Sequence, residues 1–289
     1  MANSLQFQAG GIGLVLSGGG ARGLAHIGVL KVIERQGVPI ASIAGTSMGG
    51  VIAALYAAGW DADSLEHEAL RMASIRELIK LVDIRPPRRG LLAGQNVRAY
   101  LAEFIGPELT FEDLKAPLAL KAVDLNTGHQ VDLKSGNLLD AVLATSAFPG
   151  VFPHVEIGDH HLVDGGVLNN LPLDLVDQTG ASQILAVDVS PCYPDNGSTG
   201  TPLMIEHLPL MAQDVYRSVM LMLHALTEAR IERRPPDLLI RPEIAWDIGI
   251  FTGFSRAEEI IRAGESAAEH QQAEIDRLLT NAARFGEVV

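Results

Sequence analysis

Ile12-Gly13-Leu14-Val15-Leu16-Ser17-Gly18-Gly19-Gly20-Ala21-Arg22-Gly23 joins an apolar run of strand length to a glycine loop. Residues 24–36 then place Leu24, Ile27 and Leu30 on one helical face, with Gly37 as the stop. The same order repeats at once. Residues 40–44 read as a buried strand, Gly45-Thr46-Ser47-Met48-Gly49 as a turn, and residues 50–58 as a small-residue helix ended by Gly59. Strand, loop, helix, strand, turn, helix predicts a right-handed β-α-β unit and a parallel sheet. Further strands are predicted over 118–125, 129–133, 161–163, 184–189 and 238–241, with Asn126-Thr127-Gly128 as a hairpin turn. Residues 138–144 and 210–230 read as helices. Residues 255–281 read as one long helix burying Ile260, Ile261, Ala268, Ile275 and Leu278 or Leu279. Residues 83–94 and 191–202 read as irregular, the second rich in Pro, Gly, Ser, Asp and Asn.

The chain of 289 residues is 47% hydrophobic, enough for a sizeable core, which excludes wholesale disorder. Twenty-two basic residues against thirty-five acidic ones give a net charge of −13. That balance argues against a nucleic-acid partner and against strong electrostatic attachment to an anionic membrane. Cys192 is the only cysteine, so no internal disulfide and no thiolate metal cluster is available. Residues 1–10 hold no basic residue and no apolar core, unlike a secretory signal. The longest apolar stretch, 51–60, is well short of the roughly 18 residues of a spanning helix. A cytoplasmic protein is the expectation.

Two loops carry the candidate chemistry. A serine on a sharp strand-to-helix turn has its hydroxyl thrust out above the sheet, and Gly45 and Gly49 supply the room that such a turn needs around Ser47. The alternative is a glycine-rich turn with Ser47 as a helix cap. The loop Gly18 to Gly23 matches a dinucleotide fingerprint, but residues 38–43 hold no acid for a ribose, and Leu24 stands where a P-loop lysine would be. Its other reading is an oxyanion hole, with backbone N–H groups converging where no side chain intrudes. A serine needs a base. None of the nine histidines sits in a motif, although His224 or His270 could complete a Ser…Asp…His order. Asp164, at the end of an apolar strand and followed by Gly165 and Gly166, is the stronger candidate. An Asp-Gly pair also makes ordinary turns.

Together these stretches resemble the patatin-like phospholipases. The glycine loop is Gly18 to Gly23 with Arg22 at its basic position, and the nucleophile motif is Gly45-Thr46-Ser47-Met48-Gly49. The middle block is Ala144-Thr145-Ser146-Ala147-Phe148-Pro149-Gly150-Val151-Phe152-Pro153, and the acid motif is Asp164-Gly165-Gly166. Order and spacing agree over about residues 11–189. The resemblance implies an α/β fold: one three-layer α/β/α domain around a mostly parallel sheet. The domain would span 11–289 after an N-terminal tail at 1–10, with the motifs in 11–189 and a C-terminal helical part at 203–289. It implies Ser47 as nucleophile and Asp164 as base. The backbone N–H groups of Gly18, Gly19 and Gly20 would hold the oxyanion, with Arg22 at the hole supporting either the loop or the substrate's charge, and Gly23, Gly45, Gly49, Gly165 and Gly166 supporting the motifs. It implies hydrolysis of acyl esters of phospholipids, lysophospholipids or simpler lipids through an acyl-serine, with no cofactor and no metal; the alternatives are a Ser-His-Asp esterase and a non-catalytic nucleotide- or lipid-binding regulatory protein. No His/Cys/Asp metal spacing is evident in the sequence.

Two segments raise questions of access. Residues 76–98 hold Arg76, Lys80, Arg85, Arg88, Arg89 and Arg98 against Glu77 and Asp83, with Leu78, Ile79, Leu81, Val82, Ile84, Leu91 and Leu92 interleaved. This is either an ordinary amphipathic helix and loop or a lid that makes transient contact with a membrane surface. Met204, Met211, Met220 and Met222 cluster in the second segment. The helix there is expected to be a core helix, a homodimer contact, or the lining of an acyl-chain groove.

Overall fold

The computed structural model describes residues 7–83, 90, 92–176, 181, 183–191, 209–249 and 253–286. The chain opens with β1 (Phe7–Leu16), α1 (Ala25–Gln36), β2 (Ile40–Gly45) and α2 (Ser47–Ala57). Three helices follow, α3 (Ala62–Met72), α4 (Ile75–Leu81) and α5 (Gln95–Ile105). Then come β3 (Leu118–Asp124), β4 (Gln130–Leu133), α6 (Leu138–Thr145), β5 (Val155–Ile157), β6 (His160–Asp164) and β7 (Ile184–Val187). The last elements are α7 (Leu210–Arg233), β8 (Leu238–Ile240), α8 (Ala257–His270) and α9 (Gln272–Gly286).

The strands form one sheet whose hydrogen-bonded neighbours can be traced as β5-β6-β3-β2-β1-β7-β8, with β4 also paired to β3. From β3 to β8 the neighbours are parallel, and β4, β5 and β6 are antiparallel additions. Leu14, Leu16, Ile43, Leu120, Leu185 and Val187 face one layer of helices. Val15, Ala44, Ala119 and Ala186 face the other way. Burial on both faces explains the continuous apolar runs. The second face is built of small side chains, and its cover is thin: Leu171 to Val176 and Ile231 of α7.

β3 decides where the site forms. Leu120 is opposed by Leu133 of β4 and by Gly45 of β2, so these two strands lie on opposite edges of β3. Ala122 is opposed by Val131 of β4 and by Asp164 of β6. Therefore β2 and β6 share the same edge of β3 and meet end to end. The C-terminus of β2 at Gly45 and that of β6 at Asp164 are opposed to positions only two residues apart on β3, roughly 7 Å along the strand.

Several sequence expectations need correction. β1 begins at Phe7, inside the expected tail, because its first residue already bridges to Ile40. α2 begins at Ser47 and not at residue 50. β5 is a three-residue strand too short to show a period. The expected single C-terminal helix is two helices, separated at Gln271, whose N–H is capped by the carbonyls of Ala268 and Glu269. Before the break Ile260 and Ile261 face the core that α8 shares with α1, and after it α9 lies against β1. The part beyond 203 is not only helical, since β8 extends the central sheet. α7 is no core helix: of its 24 residues only Gln213, Met220 and Thr227 are buried, and Met211 and Met222 are 76% and 63% exposed. Met204 lies outside the described residues, as do Ile84, Arg85, Arg88, Arg89 and Leu91 of the cationic segment. What is described there ends in a clasp. The Asp83 carboxylate accepts from the N–H groups of Gly94, Gln95 and Asn96, where α5 begins.

α1 and α8 cross without side chains between them. A Cβ on Gly264 would overlap the carbonyl oxygen of Ala25, and one on Gly28 the carbonyl oxygen of Ile261. In an exposed helix, Gly→Ala gains about 1 kcal/mol from propensity. Here Gly264→Ala must force two backbones apart, and overpacking costs about 1–3 kcal/mol. Urea unfolding should therefore show Gly264→Ala less stable than wild type. A more stable variant would mean that the helices do not cross at this position.

Candidate active site

The turn after β2 is held from all sides. Ser47 has φ +53°, the only positive φ of a non-glycine residue among the described residues. The left-handed conformation is costly for a residue with a side chain and persists only when neighbours enforce it. Its N–H donates to Thr145 Oγ1 at 3.1 Å, and the Thr145 hydroxyl donates to the Lys121 carbonyl at 2.6 Å. The neighbouring Thr46 hydroxyl donates to the Asn169 carbonyl at 3.0 Å. A Cβ on Gly49 would overlap the carbonyl oxygens of Leu16 and Ser17, so only glycine lets α2 start directly against the end of β1. The first-turn N–H groups and the positive end of α2 lie at the serine.

The Ser47 side chain lies within reach of the Asp164 carboxylate and favours its ionised form. The carboxylate accepts from Gly166 N at 2.8 Å, and Asp164 is 2% exposed. Burial pushes its pKa up to about 6, against the opposing pull of Ser47 and Gly166. Its own N–H donates to the Ala147 carbonyl at 3.1 Å. The segment from Thr145 to Ala147 thus fixes both residues, one through a hydroxyl and one through a carbonyl.

The glycine loop lies on the other side of the serine. A Cβ on Gly18 would come within 3.0 Å of Ser47 Cβ and overlap Asn170 Oδ1. Gly18 does not offer its N–H to a ligand, because that group donates to the Asn170 carbonyl at 3.0 Å. The donors remaining on the loop are Gly19 and Gly20, where a 3-10 turn begins, and Gly20 has φ +54°. Arg22 is buried, and its guanidinium donates to backbone carbonyls of distant segments. Its Nε donates to the Val189 carbonyl at 2.9 Å, and its Nη1 to the carbonyls of Ile248 at 3.2 Å and Ala245 at 3.4 Å. Of the two uses the sequence suggested for Arg22, the geometry is that of a brace for the loop.

Sequence reasoning missed Asn169 and Asn170. Asn170 Nδ2 donates to the Gly18 carbonyl at 3.1 Å and to Ser190 Oγ at 2.8 Å. Asn169 Nδ2 donates to Asp174 at 2.8 Å and to Gln130 at 3.0 Å. Asp174 also accepts from the buried Lys121 ammonium, which is shared with Asp132. The available signal was the pair of amides inside an otherwise apolar stretch, since amides buried there need partners. Among the described residues no histidine hydrogen-bonds to Ser47 or Asp164. The groups that move the titration of Asp164 are Ser47 and Gly166, and His270 is exposed and bonded to Ser266. His26 is buried, its pKa lowered to about 4 by burial, and its Nε2 lies 2.8 Å from the Ser17 carbonyl. One expectation about metals is incomplete: His154, Glu156 and His161 come together although no spacing in the sequence pairs them.

The sequence model of the patatin-like phospholipases matches residues 14–177, more than half of the chain and all of the motifs above. The chain belongs to this family. A protein of Mycobacterium tuberculosis described as an uncharacterized NTE family protein is 34% identical over 191 residues, 66% of this chain and 51% of its own length. The neuropathy target esterase of Drosophila melanogaster is 31% identical over 182 residues, 62% of this chain and 13% of its own. The chain therefore spans about half the length of the first of these relatives and far less of the second. The crystal structure of VipD from Legionella pneumophila superposes with a TM-score of 0.53 at 14% identity, covering 92% of this chain and 67% of that one, which shows a shared fold.

Burial of Asp164 has a thermodynamic consequence. Its pKa is near 6 in the fold and near 4 in an unfolded chain. The ionised form is disfavoured in the fold, so stability falls as pH rises from about 4 through 6, by up to about 3 kcal/mol. Asp164→Asn keeps the acceptor for Gly166 and removes the charge. Its Tm should match wild type near pH 4 and exceed it at pH 8. A Tm below wild type at both pH values would contradict a desolvated carboxylate.

Proposed function

We propose that this patatin-like protein is a serine hydrolase of carboxylic acyl esters, with lipid acyl esters of the phospholipid or lysophospholipid kind as substrates. The observation that carries the reading is Ser47 on a positive-φ elbow, within reach of a buried carboxylate raised to about 6. A carboxylate of ordinary pKa near 4 is a weak base in water, and desolvation brings Asp164 closer to neutral pH, where proton transfer is efficient.

Ser47 Oγ attacks the ester carbonyl carbon and its proton passes to Asp164. The carbonyl oxygen gains negative charge and receives the N–H groups of Gly19 and Gly20. The tetrahedral species collapses, the C–O bond to the alcohol breaks, and Asp164 returns the proton to the departing oxygen. The acyl group is left on Ser47. Water then attacks the acyl-serine, its proton taken by Asp164. The carboxylic acid departs with restoration of the Ser47 hydroxyl. The family description and the word esterase in the name of the Drosophila relative support ester chemistry. The exposed apolar side of α7, with Leu210, Met211, Val215 and Met222, supports transient contact with a lipid aggregate that depends on apolar area rather than charge.

Ser47→Ala and Asp164→Asn should each lower hydrolysis of a short p-nitrophenyl ester by about 10³-fold or more, with unchanged circular dichroism. A fluorophosphonate should label Ser47. Since the base acts ionised, kcat/KM should rise with pH, reach half its plateau near pH 6 and stay level above it. Labelling at another residue, or loss of activity on replacing a histidine with Asp164→Asn still active, would replace this pair by a histidine-based triad.

A further inference from the structure

We propose that His154, Glu156 and His161 form a binding site for a divalent transition-metal ion of the Zn²⁺ class, clamping the β5–β6 hairpin. Glu156 of β5 and His161 of β6 are direct cross-strand partners, so their side chains leave the same face of the sheet. His154 lies two residues before Glu156 in extended chain, which returns it to that face. The two imidazoles stack with centroids 4.6 Å apart and planes 15° apart. His154 Nε2 lies 3.4 Å from Glu156 Oε1, and one ligand atom from each of the three residues falls within 4.8 Å of the others. Ligand atoms about 2.1 Å from a tetrahedral ion stand about 3.4 Å from one another. Small side-chain rotations therefore suffice to close the set.

The donor chemistry selects the ion. Two imidazoles and one carboxylate suit Zn²⁺, Ni²⁺ or Cu²⁺, whereas Mg²⁺ and Ca²⁺ prefer oxygen alone. Three protein ligands leave a position for water.

The location says what the ion does. His161 and Asp164 are three residues apart on β6, so they project from opposite faces of the strand. The ion lies behind the carboxylate and does not reach the reacting atoms. It ties together the two strands of the hairpin that carries Asp164. It also fixes the run just before β5, where Val151 accepts the Leu92 N–H at 2.9 Å and Gly90 packs on Phe152 and Pro153. That run links the hairpin to the end of the cationic segment.

The test uses the full chain, free of any affinity tag and stripped with a chelator, titrated with ZnCl₂ by calorimetry, with MgCl₂ as control. One Zn²⁺ should bind per chain and raise Tm, and Mg²⁺ should do neither. His154→Ala and His161→Ala should each weaken binding about tenfold or more, and Glu156→Gln, at an exposed position, should weaken it without harming the fold. All three variants should keep hydrolysis of a short ester in the absence of metal. Absence of saturable one-to-one binding, or binding unchanged in the His154→Ala and Glu156→Gln variants, would overturn the site and assign any bound Zn²⁺ to other histidines.

Discussion

Asp164 is a carboxylate held away from water at the end of a strand, where a backbone N–H donates to it and the Ser47 side chain favours its ionised form. Such a group is tolerated only where the surrounding fold fixes it. The buried Lys121 ammonium is paired instead with Asp132 and Asp174. The arrangement that permits this is the shared edge of β3. Two strands arriving from opposite directions end there facing each other, and their last residues deliver Ser47 and Asp164 to one point.

The rest of the site supports that meeting. Thr145 and Ala147 hold the two backbones from one side, and Asn169 and Asn170 hold Thr46 and Gly18 from the other. Lys121 works at both ends: its carbonyl accepts from Thr145, and its ammonium reaches Asp174, which binds Asn169. The polar atoms around the serine thus form connected networks in which most partners are backbone groups, a rigid way to hold the serine and the carboxylate in place. Part of this rigidity offsets cost, since both the serine backbone and the buried carboxylate are unfavourable in isolation.

The first β-α-β-α unit was legible because a strand buried on both faces writes its burial as an unbroken apolar run, and glycines punctuate it where backbones touch. The placement of Ser47 and Asp164 at strand ends was legible for the same reason, since each is a polar residue at the end of such a run. What stayed hidden depends on pairing between distant segments. The Gly18 N–H is lost to Asn170 across 152 residues of sequence, and no local pattern announces that. His161 reaches Glu156 only through antiparallel register. The break at Gln271 lies in a continuous helical period, set by the change of partner from α1 to β1. The exposure of α7 contradicted its apolar composition because the sheet face beneath it is small and already covered by Leu171 to Val176.

The carboxyl carbon of Asp164 reports the central claim directly. In protein labelled with ¹³C at aspartate side chains, a pH titration followed by NMR should show one resonance with a midpoint near 6. Asp164→Asn should remove it, and Ser47→Ala, which takes away a group that favours the ionised form, should move it higher. An Asp164 resonance that titrates below pH 4, unmoved by Ser47→Ala, would contradict a desolvated carboxylate facing the serine and the proton transfer built upon it.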